Sequence, residues 1–252
     1  MSDCRPVDTP VETKANLTAD DESDESVDAA LYQSCVGSLL YMSIKTRPDI
    51  SFAVGLVAKF CSNPKKNHWS AVKRILRYLK GTVNYGLLFL RDESPELIGY
   101  SDADWAGDVS DRKSMSGYCF IMNGAAVAWS SKKQSCIALS TAEAEYVALS
   151  HAAQEAVWLA RLHEELGCTM KSAVTIYEDN QSAISISKNS QFHGRTKHVD
   201  IKFHFVRDLV ENNVIEIIYC PTNEMLADPF TKAVCRDKFV HFRNSIGVNI
   251  CK

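Results

Sequence analysis

The chain has 252 residues, 46% of them hydrophobic, and a formal net charge of −3, which is enough to bury a core in one large domain or two modest ones. Its nine cysteines include no Cys-x-x-Cys pair, so neither a zinc knuckle nor a disulfide framework is signalled, and a reducing cytosol or nucleus is the expected compartment. The N-terminus carries no apolar signal region and no stretch approaches the ~20 apolar residues of a membrane span, which argues against secretion and membrane insertion.

Residues 1–28 hold nine acids against Arg5 and Lys14, a local charge of −7, so everything after them sums to +4. "TADDESDESV" has no apolar periodicity and reads as a disordered acidic tail ending near Asp28. Helices are expected over about 29–44, 48–61 and 66–80, the last closed by Gly81. On that last helix Trp69, Val72, Leu76 and Leu79 fall on one face, and Lys73, Arg77 and Lys80 on another. Between residues 45 and 91 ten Lys or Arg, among them Arg47 and Arg74, face the single acid Asp49. That excess points to a polyanionic partner.

Past Gly81 the period changes to that of strands. "YGLLFLR" and "ELIGYSDAD" read as strands, and "SGYCFIMNGAAVAWSS" as a hairpin turning at Asn123-Gly124. A long helix follows over about 140–166, ended by Gly167, then the strand "SAVTIYED", a short helix "NQSAISIS", the helix "KHVDIKFHFVRDLVENN" and the strand "VIEIIYC". This order suits an α/β domain with a mixed sheet flanked by helices.

Acids gather at the ends of these elements. Asp102 and Asp104 share a strand face, so alternation does not choose between them, and aspartates at a strand end also form turns. In "STAEAEYVAL" helix geometry does choose. From Glu145 the positions i+4, i+7, i+8 and i+11 are Leu149, Ala152, Ala153 and Ala156, which turns its carboxylate toward the sheet. Glu143 falls on a polar face and stands three residues after Ser140, so it is expected to cap the helix and look at water. Asp179 and Asp228 each follow the pattern of an ordinary N-cap. Together the four stand at strand ends and helix starts, where a single sheet could gather them into one cluster; such a cluster repels itself unless divalent cations fill it, and hard oxygen ligands select Mg²⁺ or Mn²⁺. His193, His198 and His204 offer a competing zinc reading, but no cysteine pair accompanies them and His198 and His204 do not share a helix face, so packing fits them better.

"SLLYMSIKTRPDISFAV", "HWSAVKRILRYLKGT", "GYSDADWAGDVSDRKSMSGYCF", "WSSKKQSCIALSTAEAEYVAL", "IYEDNQSAISIS", "RTKHVDIKFHFVRDLV" and "ADPFTK" resemble, in this order, the C-terminal part of the Pol polyprotein of copia-type LTR retrotransposons. The likeness runs from about residue 30 to about 245. It implies a ribonuclease H-like domain over 95–235, preceded over 29–94 by a basic, helical segment like a reverse transcriptase thumb or connection, with 1–28 as the acidic tail and 236–252 as a C-terminal helix and tail. It implies Asp102, Glu145, Asp179 and Asp228 as catalytic metal ligands, and hydrolysis of the RNA strand of RNA/DNA hybrids with two Mg²⁺ (or Mn²⁺) ions ~4 Å apart, bridged by Asp102. Lys73, Arg74, Arg77 and Lys80, with Lys132 and Lys133, are then the expected phosphate contacts, and the rest of a reverse transcriptase is a further expected partner. Two departures stand out. The loop "YCPTNE" has no histidine where related enzymes carry one, so either slow turnover or partial substitution by Thr222 and Glu224 is expected, and no Tyr-x-Asp-Asp polymerase motif is present. An inactive remnant that only binds nucleic acid or a protein partner is the alternative reading.

Overall fold

The computed structural model of the chain describes residues 3–13, 17–18, 25, 27–91, 96–108, 110–168, 172–188 and 197–251. In chain order it forms α1 (Ala29–Lys45), a 3₁₀ turn (Pro48–Ile50), α2 (Ser51–Ala58), α3 (Lys66–Gly81) and β1 (Tyr85–Leu87). Next come β2 (Ile98–Asp104), β3 (Met115–Met122), β4 (Ala125–Lys133), α4 (Thr141–Glu165), β5 (Val174–Glu178) and α5 (Gln181–Lys188). The chain continues through α6 (Lys197–Glu211), β6 (Ile215–Tyr219), α7 (Asp228–Thr231), α8 (Arg236–Ser245) and β7 (Val248–Ile250). It divides into two compact units, Met1–Leu88 with Lys232–Lys252, and Phe89–Thr231. Over 236–252, where a C-terminal helix and tail are expected, the chain forms α8 and then β7, which pairs antiparallel with β1 and belongs to the unit that contains α1 to α3.

In that unit the stretch "TRPD" forms a buried ion pair. Arg47 donates to both carboxylate oxygens of Asp49 at 2.9 and 2.7 Å, and to the hydroxyl and carbonyl of Thr82. Tyr78 donates to the same Asp49 carboxylate at 2.5 Å. Both charged groups are almost wholly removed from water, which is tolerable only because every polar atom of the pair finds a partner. Arg47 must accordingly be struck from the cations facing a polyanion. The core face of α3 is also turned by about one residue from expectation: His68, Val72, Ile75 and Tyr78 are buried, not Trp69, Leu76 and Leu79. The cause is polar. Tyr78 reaches Asp49, and His68 stacks on Phe60 with ring centroids 3.7 Å apart while its Nδ1 accepts from the Lys65 amide.

The acidic N-terminal stretch differs from the free tail expected wherever it is described. Residues 3–13 run along α3, where Glu12 accepts from Arg74 at 2.5 Å and Thr9 Oγ1 from the same guanidinium at 3.1 Å. The backbone carbonyls of Arg5 and Cys4 accept from Arg77 and Lys80 at 2.7 and 2.8 Å. Residues 19–24 of the same expectation lie outside the described residues.

The second unit is built on a five-stranded sheet in the order β4-β3-β2-β5-β6. β2, β3 and β4 are antiparallel neighbours, whereas β2, β5 and β6 run parallel. The β3–β4 hairpin turns at Asn123-Gly124 with positive φ at both residues, the geometry that an Asn-Gly turn supplies. Helix α4 starts on Ser140, whose hydroxyl accepts from the Glu143 amide, and Gly167 follows its end with φ +78°. Ala152, Ala153 and Ala156 let α4 lie close on the sheet, over Phe120, Val174, Ile176, Ile215 and Ile217. Each large side chain so buried contributes roughly 1.5–3 kcal/mol. Gly99 on β2 makes room for one of them, since a Cβ there would meet the Phe120 ring at 2.5 Å.

Candidate active site

The central strand β2 carries the first acid. Its neighbours on both sides, and α4 above it, leave Asp102 1% exposed. β2 and β5 run parallel with Tyr100 beside Tyr177, so the register continued by two residues sets Asp102 alongside Asp179, just past the end of β5. Glu145 comes down from the second turn of α4. One carboxylate oxygen from each of Asp102, Glu145 and Asp179 lies within 4.8 Å of the others, the one such metal-capable group among the described residues. Asp228, also buried, begins α7 and stands outside that group. Asp104 is the last residue of β2, and its carboxylate fills the space above Gly107 in the turn that follows, where a Cβ would meet Oδ2 at 2.0 Å.

Two threonine hydroxyls hold the aspartates. Thr231, on α7, donates to Asp102, and Thr222 donates to Asp179 at 2.6 Å from the histidine-free loop "YCPTNE". Glu143 corrects the expectation of a carboxylate facing water. It is buried, accepting from the Leu139 amide at 2.8 Å while its own amide donates to Ser140, so it closes the loop before α4 onto the helix start.

Sequence reasoning overlooked Glu178. It is wholly buried, one carboxylate oxygen accepting from the Asn180 amide at 3.2 Å. The signal was present, because Val174, Ile176 and Glu178 alternate on the inward face of β5. Burial, then Glu178, Asp102 and Asp179, hold the Glu145 carboxyl far above the ordinary carboxylate range, against one hydrogen bond from the Ala103 amide. Burial likewise raises Glu178, with Asp102 and Asp179 adding to it and the Asn180 amide opposing. Glu145 Oε2 and Glu178 Oε2 accept no hydrogen bond from the described residues. An all-oxygen donor set, strained by its own charge and with buried oxygens left over, fits a hard divalent cation.

The expected phosphate contacts divide. Lys133 is held by Asp108 and Asp111, each at 2.8 Å, whereas Lys132 beside it is exposed. Arg74, Arg77 and Lys80 bond the N-terminal stretch, and Lys73 is half-buried. His204 is exposed on α6, while His193 and the His198 side chain lie outside the described residues.

A five-stranded sheet in this order, with acids on its central strand, on the helix that covers it and beyond the adjoining parallel strand, defines a ribonuclease H-like domain. No family model matches the chain. It is 44% identical over 254 residues to the retrovirus-related Pol polyprotein from transposon TNT 1-94 of Nicotiana tabacum, a match covering 99% of this chain and 19% of that protein. It is 56% identical over 128 residues to the secreted RxLR effector protein 161 of Plasmopara viticola, covering 51% of this chain and 90% of that protein. The N-terminal RNase H domain of rv2228c from Mycobacterium tuberculosis superposes with a TM-score of 0.41 at 13% identity, over 60% of this chain and 99% of that one. The chain belongs to the retrovirus-related Pol polyproteins of copia-type LTR retrotransposons, and spans about a fifth of the length of the curated ones it matches. The likeness extends through the acidic N-terminal stretch, beyond the start near residue 30 that the motifs suggest.

Proposed function

We propose that this chain is the ribonuclease H part of a retrotransposon Pol polyprotein, hydrolysing the RNA strand of RNA/DNA hybrids. The observation that carries this reading is the convergence of Asp102, Glu145 and Asp179 within 4.8 Å on a sheet of this order. Asp228, at the start of α7, is the fourth carboxylate of the proposed set. These four carboxylates would hold divalent cations, whose chemistry there would be to activate a water and to neutralise charge developing on the scissile phosphate and the leaving 3′ oxygen.

The chain's own residues do the rest. Asp102, fixed on the central strand, is the rigid point of the site, and Glu145 closes it from above on a helix whose start is tied down by Ser140 and Glu143. Thr222 orients Asp179. Discrimination for the RNA strand comes from 2′-hydroxyl and backbone shape and not from base sequence. Lys132 is exposed for phosphate contact, and the rest of a reverse transcriptase is the expected physical partner.

The test pairs two glutamates two residues apart. Glu145→Gln is expected to abolish Mg²⁺-dependent cutting of a hybrid, and Glu143→Gln to leave cutting in place with a less stable fold. Equal activity in both variants would remove Glu145 from the site.

A further inference from the structure

We propose that Thr231 is a positioning residue for this site, its hydroxyl orienting the Asp102 carboxylate; the inference rests on the reading of the acidic group as a divalent-cation site. The reasoning starts on β3. Gly117 stands directly opposite Asp102 in the antiparallel ladder. A Cβ at that position would meet Phe230 Cβ at 2.7 Å, Thr231 Cγ2 at 2.8 Å and the Ala227 carbonyl at 3.3 Å. Bare backbone at Gly117 is therefore what lets the single turn of α7 settle onto the sheet beside Asp102.

The contact is a built one. Thr231 and Phe230 are fully buried. Ser131 on β4 donates to the Phe230 carbonyl at 2.5 Å, pinning the same turn from the neighbouring strand. The Thr231 hydroxyl reaches two acceptors, the Asp102 carboxylate and the Asp228 carbonyl at 2.9 Å, and has one proton to give. An anionic acceptor takes it in preference to a neutral carbonyl. A donor fixed on one carboxylate oxygen restricts rotation of the group, so Asp102 presents itself to a cation in one orientation.

Thr222 offers an internal contrast. It makes the same kind of bond to Asp179, but it is exposed, so water can replace its hydroxyl. Asp102 is 1% exposed, and no bulk water stands ready to replace Thr231.

The experiment is Mn²⁺ titration of the full chain by calorimetry, with thermal unfolding of each metal-free variant alongside. Thr231→Val keeps the shape and removes the donor; it is expected to weaken Mn²⁺ binding by about 10-fold or more, while Thr231→Ser, which keeps the donor, stays within about 2-fold of the parent. Thr222→Val should change the affinity by less than Thr231→Val does. Gly117→Ala, which keeps the Thr231 hydroxyl but pushes the turn of α7 that carries it away from Asp102, should weaken binding in the same direction, and it carries the test if the Val variant does not fold. Parent-like affinity in a folded Thr231→Val protein, or a loss in Thr231→Ser equal to that in Thr231→Val, would overturn the proposal and leave Thr231 a packing residue. A parent chain that binds no Mn²⁺ at all would overturn the metal reading itself, and the proposal with it.

Discussion

Most proteins lose stability on acidification because paired carboxylates must take up protons, and the metal-free form of this chain should do the opposite near neutral pH. Glu145 is held above its unfolded pKa by burial and then by the charges of Glu178, Asp102 and Asp179, and Glu178 by burial and then by those of Asp102 and Asp179. The folded state then binds protons that the unfolded state has released, so their contribution is fully present below the unfolded pKa and is lost as pH rises toward the folded values. Each group that remains protonated in the fold makes a slope of about 1.4 kcal/mol per pH unit, so a single one accounts for about 3 kcal/mol between pH 6 and pH 8. Urea unfolding in EDTA at those two pH values reads this directly as a lower midpoint at pH 8. Mg²⁺ should raise the midpoint at pH 8, because the cation takes the place of the protons, and Glu178→Gln should reduce the slope in EDTA. A midpoint that is flat from pH 6 to pH 8 in EDTA and indifferent to Mg²⁺ would refute the reasoning from the buried cluster.

Other expectations follow from single contacts. Asp49→Ala strands the buried Arg47 guanidinium and should cost about 3–5 kcal/mol in urea unfolding; a cost below about 1 kcal/mol would mean that water enters to solvate the arginine. Ser140→Ala removes the cap of α4 and should cost about 1 kcal/mol. Burial, then Lys202 and Lys132, lower the His151 pKa to about 4, so stability should also be lost as pH falls from the ordinary histidine value toward 4, and His151→Gln should remove that part of the acid limb. Lys132→Ala should weaken hybrid binding at low salt more than Lys133→Ala, because Lys133 is already occupied by Asp108 and Asp111; the reverse order in a titration would show that those ion pairs open on binding.

The local parts of this structure were legible in the sequence because their causes are local. Asn123-Gly124 fixes a hairpin, Ser140 and Gly167 bracket a helix, and the apolar spacing after Glu145 sends that glutamate inward. Glu143 was misplaced because its burial is caused by the loop before it: the Leu139 amide comes back onto the carboxylate, and helix periodicity says nothing of a loop. Glu178 was passed over for its neighbour Asp179, although strand alternation already set it inward with Val174 and Ile176. "TRPD" looked like a helix start, and the buried ion pair behind it depends on Tyr78 and Thr82, some thirty residues away. The N-terminal stretch gave no periodic signal because Arg77 and Lys80 are met by backbone carbonyls, which every sequence has. The pairing of β1 with β7 is equally hidden, being a contact between distant parts of the chain.

The central claim is that Asp102 and its partners make a nuclease for the RNA of a hybrid. The direct measurement is a gel assay on two hybrids, one labelled on the RNA strand and one on the DNA strand, with Mg²⁺ or EDTA, for the parent chain and Asp102→Asn. The account predicts shortening of the labelled RNA alone, in Mg²⁺ alone, and by the parent alone. Intact RNA with the parent in Mg²⁺, or cutting that survives Asp102→Asn, would contradict it.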